Sequence, residues 1–338
     1  MNSLLGQKSA VSTITKAIED GRRHHAWIFY GPRGVGKYTA ALLFANKIVG
    51  DHLGGKVHPD IHVICKEDVV WSQNPSLQRR KQTNIPIDLL RERIIGGKTS
   101  DDRVHDAIAF KTPVSGTEKV FIIDEAELLD EQGQNALLKT LEEPPPNTTI
   151  VLVTCRDDLL LPTIHSRCTG VGFSRLQKKH MLEWSENAGL SAEPSDLMWA
   201  INFSGGSPGL VCEAVETNLA SVGNSVETFL TRENLGEYSV IVPMLLDYIE
   251  CTVAKKLKQN SAASKESANR RAIELLLLMF GSAAQNIIRS DNPEEGIVAS
   301  EIISDIEKQL TTNISTKVLV ESLCVRWAQL CSGDSVFI

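Results

Sequence analysis

Residues Tyr30-Gly31-Pro32-Arg33-Gly34-Val35-Gly36-Lys37-Tyr38-Thr39 nearly complete a phosphate-binding loop. Gly31 and the pair Gly36-Lys37 have the spacing G-x-x-x-x-G-K-[ST], in which backbone N–H groups cradle phosphates and the lysine reaches the terminal ones. The last position departs from the pattern, because Tyr38 stands where Ser or Thr is required. That small hydroxyl ligates magnesium, and a phenol held farther from the backbone cannot take its place. We predict a phosphate loop that has lost its metal contact.

The sequence around this loop predicts an α/β domain. An apolar run over 26–30 enters the loop and an amphipathic helix over 39–49 leaves it, which is the context that gives such a glycine motif its meaning. Two further apolar runs without alternation, 120–123 and 149–154, predict strands covered on both faces. A helical spacing over 131–141 separates them. We therefore predict a mostly parallel sheet with helices.

The remainder of the chain predicts helices only. The first helical patterns predict a small three-helix unit and cover 178–188, 195–203 and 208–219. The later patterns predict a separate all-helical domain and cover 240–257, 268–288, 298–310 and 317–330. The polar segment 259–267 predicts an exposed loop. The predicted domains are residues 1–175, 176–235 and 236–338.

The composition limits the classes of function. With 338 residues, the chain exceeds the usual size of one core, and its net charge of -7 weighs against a protein that grips nucleic acid over its whole surface. Seven scattered cysteines favour a reducing cytoplasm over a disulfide framework. The start lacks the pattern of a secretory signal, and the best apolar run, near 275–280, is shorter than the roughly 18 residues of a membrane span. We expect a cytoplasmic protein with no membrane partner.

Two further groups are candidates for phosphoryl chemistry. Asp124 and Glu125 close an apolar strand, and in nucleotide hydrolases such a pair orients magnesium and polarises the attacking water. The alternative is a solvated strand end, but the preceding phosphate loop favours a nucleotide-binding ancestry. Arg167 follows the strand predicted over 149–154, and its alternative is an ordinary surface residue. At a domain edge, its forked guanidinium can stabilise phosphoryl charge on a neighbour's nucleotide.

Several motifs together resemble the bacterial clamp-loader AAA+ subunits. They are Gly6-Gln7, His25-Ala26-Trp27, the loop over 31–37, Asp124-Glu125-Ala126, Asn135-Ala136-Leu137-Leu138-Lys139-Thr140-Leu141-Glu142-Glu143-Pro144-Pro145 and Ser166-Arg167-Cys168. The resemblance covers about the first 210 residues, and the run over 137–145 is highly specific to this family. It implies an AAA+ P-loop domain, a small helical lid and an all-α C-terminal collar that joins subunits.

The family contains ATP-hydrolysing motor subunits (gamma/tau) and a stator-like subunit, delta-prime. The resemblance implies that a motor needs an intact loop, a polar sensor after the third strand and an arginine in the lid helix. Here the loop has Tyr38, the sensor place falls at Thr154 or Cys155, and residues 210–213 lack arginine. Since Ser166-Arg167-Cys168 is intact, the delta-prime pattern is favoured. Arg167 is then a finger in trans and Glu125 is vestigial. The degenerate ATP and magnesium site comprises Gly31, Gly34, Gly36, Lys37, Tyr38, Thr39 and Asp124.

The resemblance also implies partners and cofactors. The partners are motor subunits, the delta subunit, the sliding clamp and, in the assembled complex, primed DNA. No cofactor is required; passive ATP or ADP binding stays open, and the loss of the hydroxyl argues against magnesium. Many relatives carry a four-cysteine zinc module, but this chain has only Cys65 there, near His52, His58 and His62, so we expect no zinc.

Three alternatives stay open. The chain could be a self-sufficient AAA+ ATPase, either a motor subunit or a helicase-like relative, or it could be a plain scaffold without any role in hydrolysis. The basic cluster Arg79-Arg80-Lys81 is interpreted as a solvated loop in preference to a contact with primer-template phosphates.

Overall fold

The computed structural model describes residues 4–20, 23–50, 58–79, 83–114, 116–230, 238–260, 263–289, 293–310, 312 and 314–332. The chain separates into two compact units, one made of residues 1–190 with 204–210 and the other of 191–203 with 211–338. The division into domains 1–175, 176–235 and 236–338 stays a prediction.

The first unit is built on a parallel sheet. Its elements are α1 (Lys8–Glu19), β1 (Ala26–Tyr30), α2 (Lys37–Val49), β2 (Ile61–Ile64), α3 (Pro75–Gln78), α4 (Ile87–Leu90), β3 (Gly97–Lys98), β4 (Val104–His105), β5 (Lys119–Ile123), α5 (Glu131–Glu142), β6 (Thr148–Thr154), α6 (Pro162–His165), β7 (Thr169–Gly172) and α7 (Lys178–Asn187). The described residues form a five-stranded sheet in the order β2-β5-β6-β1-β7, in which every neighbouring pair is parallel. The predicted α/β fold with a mostly parallel sheet is confirmed.

The core of this unit lies on both faces of the sheet, because the central strands are mostly apolar and are buried on both sides. Every residue of β5 and β6 is buried. On one face, the ring of Trp27 meets Phe44 of α2 edge-on at 5.3 Å between centroids. On the other, Phe121 belongs to a buried cluster with Leu137 and Leu141 of α5. Close packing of these side chains fixes the positions of the central strands, and therefore also the positions at which the following loops begin.

Two short strands of the sheet were not predicted. β2 and β7 are the edge strands, each four residues long, and half of β7 is glycine. Two short helical segments precede β3 in the chain, α4 and then a π-helical turn, Arg91–Ile95. Ile85 is extended and forms a bridge with Leu129. Short or glycine-rich segments give little periodic signal, which is why the sequence did not reveal the sheet's edges.

The second unit is helical. Its helices are α8 (Pro194–Phe203), α9 (Pro208–Glu216, of which the first turn belongs to the first unit), α10 (Leu219–Leu230), α11 (Tyr238–Gln259), α12 (Lys265–Ile288), α13 (Pro293–Gln309) and α14 (Thr316–Ser332). The rings of Phe280 and Trp327 join α12 to α14 in a T-shaped contact with centroids 5.0 Å apart. The predicted loop over 259–267 is partly wrong, since α12 begins at Lys265, where the side chain of Ser264 accepts a hydrogen bond from Ser267.

Helix α12 is long and apolar. Among the described residues it is the one helix that could cross a membrane by length and composition, a test that the core helix of a globular unit also passes. Its apolar side chains are used inside the second unit, with Phe280 against Trp327. In its second turn, Arg271 forms ion pairs with Glu213 and Glu274. We interpret α12 as the core helix of this unit.

Candidate functional site

The carboxyl ends of the parallel strands meet at one edge of the sheet, as parallel pairing requires. There β1 leads into the phosphate loop, β5 leads into Asp124 and Glu125, and β2 is followed by Lys66 after one residue. β6 ends beside them at Thr154. The structure therefore brings together the loop and the acidic pair that the sequence placed about 90 residues apart (37 to 124).

Two glycines of the loop are required by close backbone approaches. Gly31 has φ +135°, and a Cβ there would overlap the carbonyl oxygen of Phe173. The backbone N–H of Phe173 donates to the carbonyl of Tyr30 at 2.8 Å, which holds the exit of β7 against the loop. Gly34 has φ +75°, and a Cβ there would overlap the hydroxyl of Ser207. Both glycines serve the packing of the loop, whether or not a phosphate ever binds.

The segment 204–210 covers this loop within the first unit. The backbone N–H of Gly209 donates to the carbonyl of Gly34 at 2.8 Å, and the hydroxyl of Ser207 donates to the carbonyl of Arg33 at 2.9 Å. The N–H of Leu176 donates to the carbonyl of Gly206 at 2.8 Å, which ties the same segment to the exit of β7. A ligand that reaches the loop from this side has to break these contacts.

The loop lysine is satisfied by the loop itself. The ammonium of Lys37 donates to the carbonyl oxygens of Gly31 at 2.7 Å and Pro32 at 2.6 Å, and the side chain is buried. Burial lowers the pKa of Lys37, and the negative charges of Glu127 and Asp124 oppose that effect. A phosphate would compete with two internal hydrogen bonds for this cation.

Tyr38 and Thr39 begin helix α2 and both are exposed. Burial raises the pKa of the Tyr38 phenol, with further contributions from the charges of Asp124, Cys65 and Asp68. The phenol is therefore neutral at physiological pH and lies on the acidic side of the site. Its oxygen stands at the far end of the ring, so it cannot take the position of the small alcohol that ligates magnesium next to the backbone.

Asp124 is half-buried, which makes its carboxyl harder to ionise than a solvated one. Burial raises the pKa of its carboxyl to about 6, although the backbone N–H of Glu125 donates to Oδ1 at 3.0 Å and lowers the pKa in part. A carboxylate that ligates magnesium has to be ionised and solvent-facing enough to share the ion with water. A carboxyl with this pKa is ionised at neutral pH, but the burial that raises the pKa also limits its access to the water that a hydrated magnesium ion brings.

Glu125 is paired with cations of its own chain. Its Oε2 lies 2.6 Å from the ammonium of Lys66, and its Oε1 lies 4.0 Å from the guanidinium of Arg33. Glu125 also has φ +51°, a strained left-handed conformation for a residue other than glycine. A carboxylate that polarises an attacking water accepts a hydrogen bond from that water, and here Oε2 of Glu125 already carries the ammonium of Lys66. The sequence analysis missed Lys66.

A third acid, Glu127, completes the site and was also missed. The thiol of Cys155 donates to Oε1 of Glu127 at 2.8 Å. Burial, reinforced by this hydrogen bond, raises the pKa of Cys155 to about 11, so the thiol stays protonated. Thr154, the other candidate for the sensor place, is buried and its hydroxyl accepts from the N–H of Arg156 at 3.0 Å. Both sensor candidates are thus used internally.

These observations test the fit of a magnesium ion. The alcohol is replaced by Tyr38, Asp124 is half-buried, and Glu125 already carries the ammonium of Lys66. The donor set does not fit a magnesium ion, and no step of the proposed chemistry is routed through one.

Arg167 lies at the other end of the strands, where their amino ends meet. Trp27 of β1 pairs with Thr169 of β7, so Arg167, two residues earlier, is level with His25 at the amino ends of these strands. Gly31 begins the loop six residues beyond that level, which corresponds to a separation of about 20 Å at roughly 3.3 Å per residue. Arg167 therefore cannot reach a phosphate held by the loop of its own chain.

The guanidinium of Arg167 is held at that end of the strands by three contacts. One nitrogen lies 2.7 Å from Oε1 of Glu142, and the other donates to the carbonyl of Thr163 at 2.9 Å and to the hydroxyl of Ser166 at 3.0 Å. About one third of its side chain, 34%, is exposed. The sequence analysis quoted Glu142 within its motif but gave it no role.

The remaining candidates have structural roles or stay predictions. His24 and His25 make ring-nitrogen contacts with backbone carbonyls of Ala26 and Leu141, both at 2.8 Å. Within the described part of the chain, no group of three or more His, Cys, Asp or Glu side chains is arranged to hold a metal. His52, Arg80 and Lys81 lie outside the described residues. The role of the basic cluster stays a prediction.

The family model described as DNA polymerase III, delta subunit matches residues 6–177, just over half of the chain. The chain belongs to this clamp-loader AAA+ family. The match spans the phosphate loop, the acidic pair and Ser166-Arg167-Cys168, so the resemblance found in the sequence is confirmed.

Relatives of two kinds share this clamp-loader sequence. The Pseudomonas aeruginosa protein named DNA polymerase III subunit delta' is 26% identical over 335 residues, covering 90% of this chain and 92% of that protein. The Mycobacterium bovis protein named DNA polymerase III subunit gamma/tau is 29% identical over 230 residues, covering 67% of this chain and 38% of that protein. The chain thus spans less than half the length of the gamma/tau relative.

A solved structure supports the fold. A DNA polymerase III gamma subunit-related protein from Thermotoga maritima superposes with a TM-score of 0.50 at 18% identity, covering 95% of this chain and 99% of that one. At this identity the likeness shows the fold alone. It agrees with a parallel sheet followed by a helical C-terminal region.

Proposed function

We propose that this chain is a delta-prime-like clamp-loader subunit of bacterial DNA polymerase III, which supplies Arg167 in trans to ATP held by an adjacent motor subunit. The observation that carries the proposal is the placement of Arg167 and the phosphate loop at opposite ends of the strands of one sheet. An arginine finger acts on the nucleotide of a neighbour, and this geometry offers Arg167 to a neighbour only. The delta' relative matched over 92% of its length supports the same role.

The second half of the proposal is that the chain does not hydrolyse ATP itself. Its loop lysine is occupied by loop carbonyls, its Glu125 by Lys66, and its magnesium ligand is replaced by Tyr38. Each change removes a group that phosphoryl transfer needs for charge stabilisation or water activation. The remaining features, Arg167 above all, serve a subunit that completes another's site.

The proposed partners follow from this role. They are gamma/tau motor subunits, the delta subunit, the sliding clamp and primed DNA in the assembled complex, with a cytoplasmic location. The helical second unit would form the collar that joins the subunits.

The test is to replace Arg167 in a clamp loader reconstituted with its motor subunits. Arg167→Ala should reduce turnover at the one site it serves by about a thousandfold, so total ATPase falls by that site's share while assembly is unchanged. Arg156→Ala is the matched control, because Arg156 is an arginine of the same connection whose pair with Asp158 is exposed to solvent. Unchanged turnover in Arg167→Ala would refute the role.

An ATP-hydrolysing motor subunit is the alternative. It is favoured by the retained Lys37 and Asp124 and by the 29% identity to the gamma/tau protein over 230 residues. This alternative requires magnesium-dependent ATP binding by the isolated chain. A fluorescent ATP analogue titrated with and without magnesium separates the two functions.

A further inference from the structure

We propose that Glu142 is a positioning residue for Arg167, and this inference rests on the proposed finger role. Oε1 of Glu142 lies 2.7 Å from one terminal nitrogen of the Arg167 guanidinium. Glu142 is the last residue of α5, and Arg167 comes two residues before β7, so the pair joins two separate elements at the amino edge of the sheet. The two residues are far apart in the sequence, so the contact depends on the tertiary fold.

The contact acts together with hydrogen bonds from the other terminal nitrogen. That nitrogen donates to the carbonyl of Thr163 at 2.9 Å and to the hydroxyl of Ser166 at 3.0 Å. A guanidinium has five N–H donors in a rigid plane, and three of them are accounted for by these contacts. Holding both terminal nitrogens fixes the plane of the group, and the exposed remainder of the side chain is presented outward.

The ion pair is suited to orientation rather than to stability. The side chains of Arg167 and Glu142 are 34% and 48% exposed, and a pair exposed to this degree contributes little to folding. The carboxylate therefore adds little to the free energy of unfolding. An arginine has many rotamers, however, and a finger that is already oriented loses less conformational freedom when it meets phosphoryl oxygens.

The effect should be confined to the catalytic step. Glu142 touches the finger and is separated from any nucleotide by it, so its loss should lower kcat of the assembled complex and leave KM for ATP nearly unchanged. We expect Glu142→Ala to lower kcat at the served site about three- to tenfold. Glu142→Gln keeps an oxygen that accepts from the guanidinium, and it should restore part of the loss.

The experiment compares these variants in the reconstituted complex with Glu143→Ala, a neighbouring exposed acid, as the control. The decisive comparison is the double variant: in an Arg167→Ala background, Glu142→Ala should cause no further loss, because the finger it orients is gone. Equal unfolding midpoints of the isolated chains exclude a merely structural effect.

The possible outcomes separate this inference from the proposed function. If Arg167→Ala lowers turnover but Glu142→Ala leaves kcat unchanged or raises it, the positioning role is wrong and the finger role stands. If Arg167→Ala itself has no effect, the proposed function fails and the positioning role fails with it. Additive losses in the double variant would also overturn the positioning role.

Discussion

The ammonium of Lys66 lies 2.6 Å from Oε2 of Glu125, so the acid expected to activate water is paired with a lysine of its own chain. Lys66 follows the short edge strand β2, and Glu125 follows β5, its partner in the sheet. The pair is mostly buried, with 17% and 25% of the two side chains exposed. A resident cation thus neutralises the acid that would polarise the attacking water in a working site.

This pairing predicts how metal dependence could be recovered. In the wild-type chain, magnesium should not change the affinity for a fluorescent ATP analogue. The variant Tyr38→Thr with Lys66→Ala restores the small alcohol and frees Glu125, so magnesium should raise its affinity at least about tenfold, or ~1.4 kcal/mol. Titration with and without magnesium measures the effect.

The matched control is Tyr38→Phe, which removes the hydroxyl but keeps the ring. It should behave as the wild type, because neither phenol nor phenyl ligates the ion. An equal response to magnesium in the Phe and the double variant would contradict the explanation.

The raised pKa of Asp124 predicts a pH-dependent stability difference. A carboxyl with a pKa of about 6 in the folded protein and about 3.9 when unfolded binds more protons in the folded state. Its ionisation therefore destabilises the fold progressively as pH rises from about 4 to 6, and the penalty is constant above that range. Asp124→Asn removes the penalty.

Denaturant unfolding of the wild type and Asp124→Asn in magnesium-free buffer measures this difference. The variant should gain about 1–3 kcal/mol at pH 7 and almost nothing at pH 4. If the difference in the free energy of unfolding between Asp124→Asn and the wild type is the same at pH 4 and pH 7, the pKa of Asp124 is not raised in the folded protein.

The sequence predicted the centre of the sheet well and its edges poorly. β1, β5 and β6 are unbroken apolar runs, which is the strongest signal for strands covered on both faces. β7 reads Thr-Gly-Val-Gly and carries little strand propensity, so its place beside β1 depends on packing of the whole unit.

Some residues of the candidate site could be predicted from the sequence and others could not. The loop, Tyr38 and the acidic pair follow from local spacing and were predicted. Lys66 meets Glu125 across 59 positions of the chain (66 to 125), and Glu142 meets Arg167 across 25 (142 to 167). A contact of that kind depends on strand order, which a single sequence does not reveal; recognising β2 as a strand would have placed Lys66 at the site.

The close approach of Gly209 to Gly34 of the phosphate loop predicts that a side chain at residue 209 destabilises the first unit. A Cβ on Gly209 would lie 2.7 Å from the Cα of Gly34, and backbone atoms cannot move aside cheaply. Gly209→Ala should destabilise the first unit by about 1–3 kcal/mol and break the hydrogen bond to the Gly34 carbonyl. Hydrogen exchange at the Gly209 amide, together with denaturant unfolding, tests both effects.

Gly281→Ala serves as the opposite control. Gly281 lies inside α12, and a Cβ there would meet nothing within 4 Å, so alanine should stabilise that helix by about 0.5–1 kcal/mol. If both substitutions changed stability in the same direction, the close approach at Gly209 would not be the cause.

The ion pairs of Arg271 predict that the stability of the second unit depends strongly on this one positive charge. Nε of Arg271 donates to Glu213 at 2.7 Å and Nη1 donates to Glu274 at 3.0 Å, with only 15% of the side chain exposed. Arg271→Ala removes the cation that Glu213 and Glu274 share and leaves Glu274 only its longer contact with Arg270, so it should cost about 3 kcal/mol. Its neighbour Arg270 is 53% exposed, so Arg270→Ala should cost no more than about 0.5 kcal/mol. Chemical denaturation that finds equal losses would contradict the assignment.

The central claim is that the chain lends Arg167 to a neighbour and has no working site of its own. Steady-state ATP hydrolysis by the purified, isolated chain in saturating magnesium and ATP tests it most directly, with Lys37→Ala as the background control. We predict that the rate of the wild type equals that of Lys37→Ala. A wild-type rate well above that background, abolished by Lys37→Ala, would contradict the account.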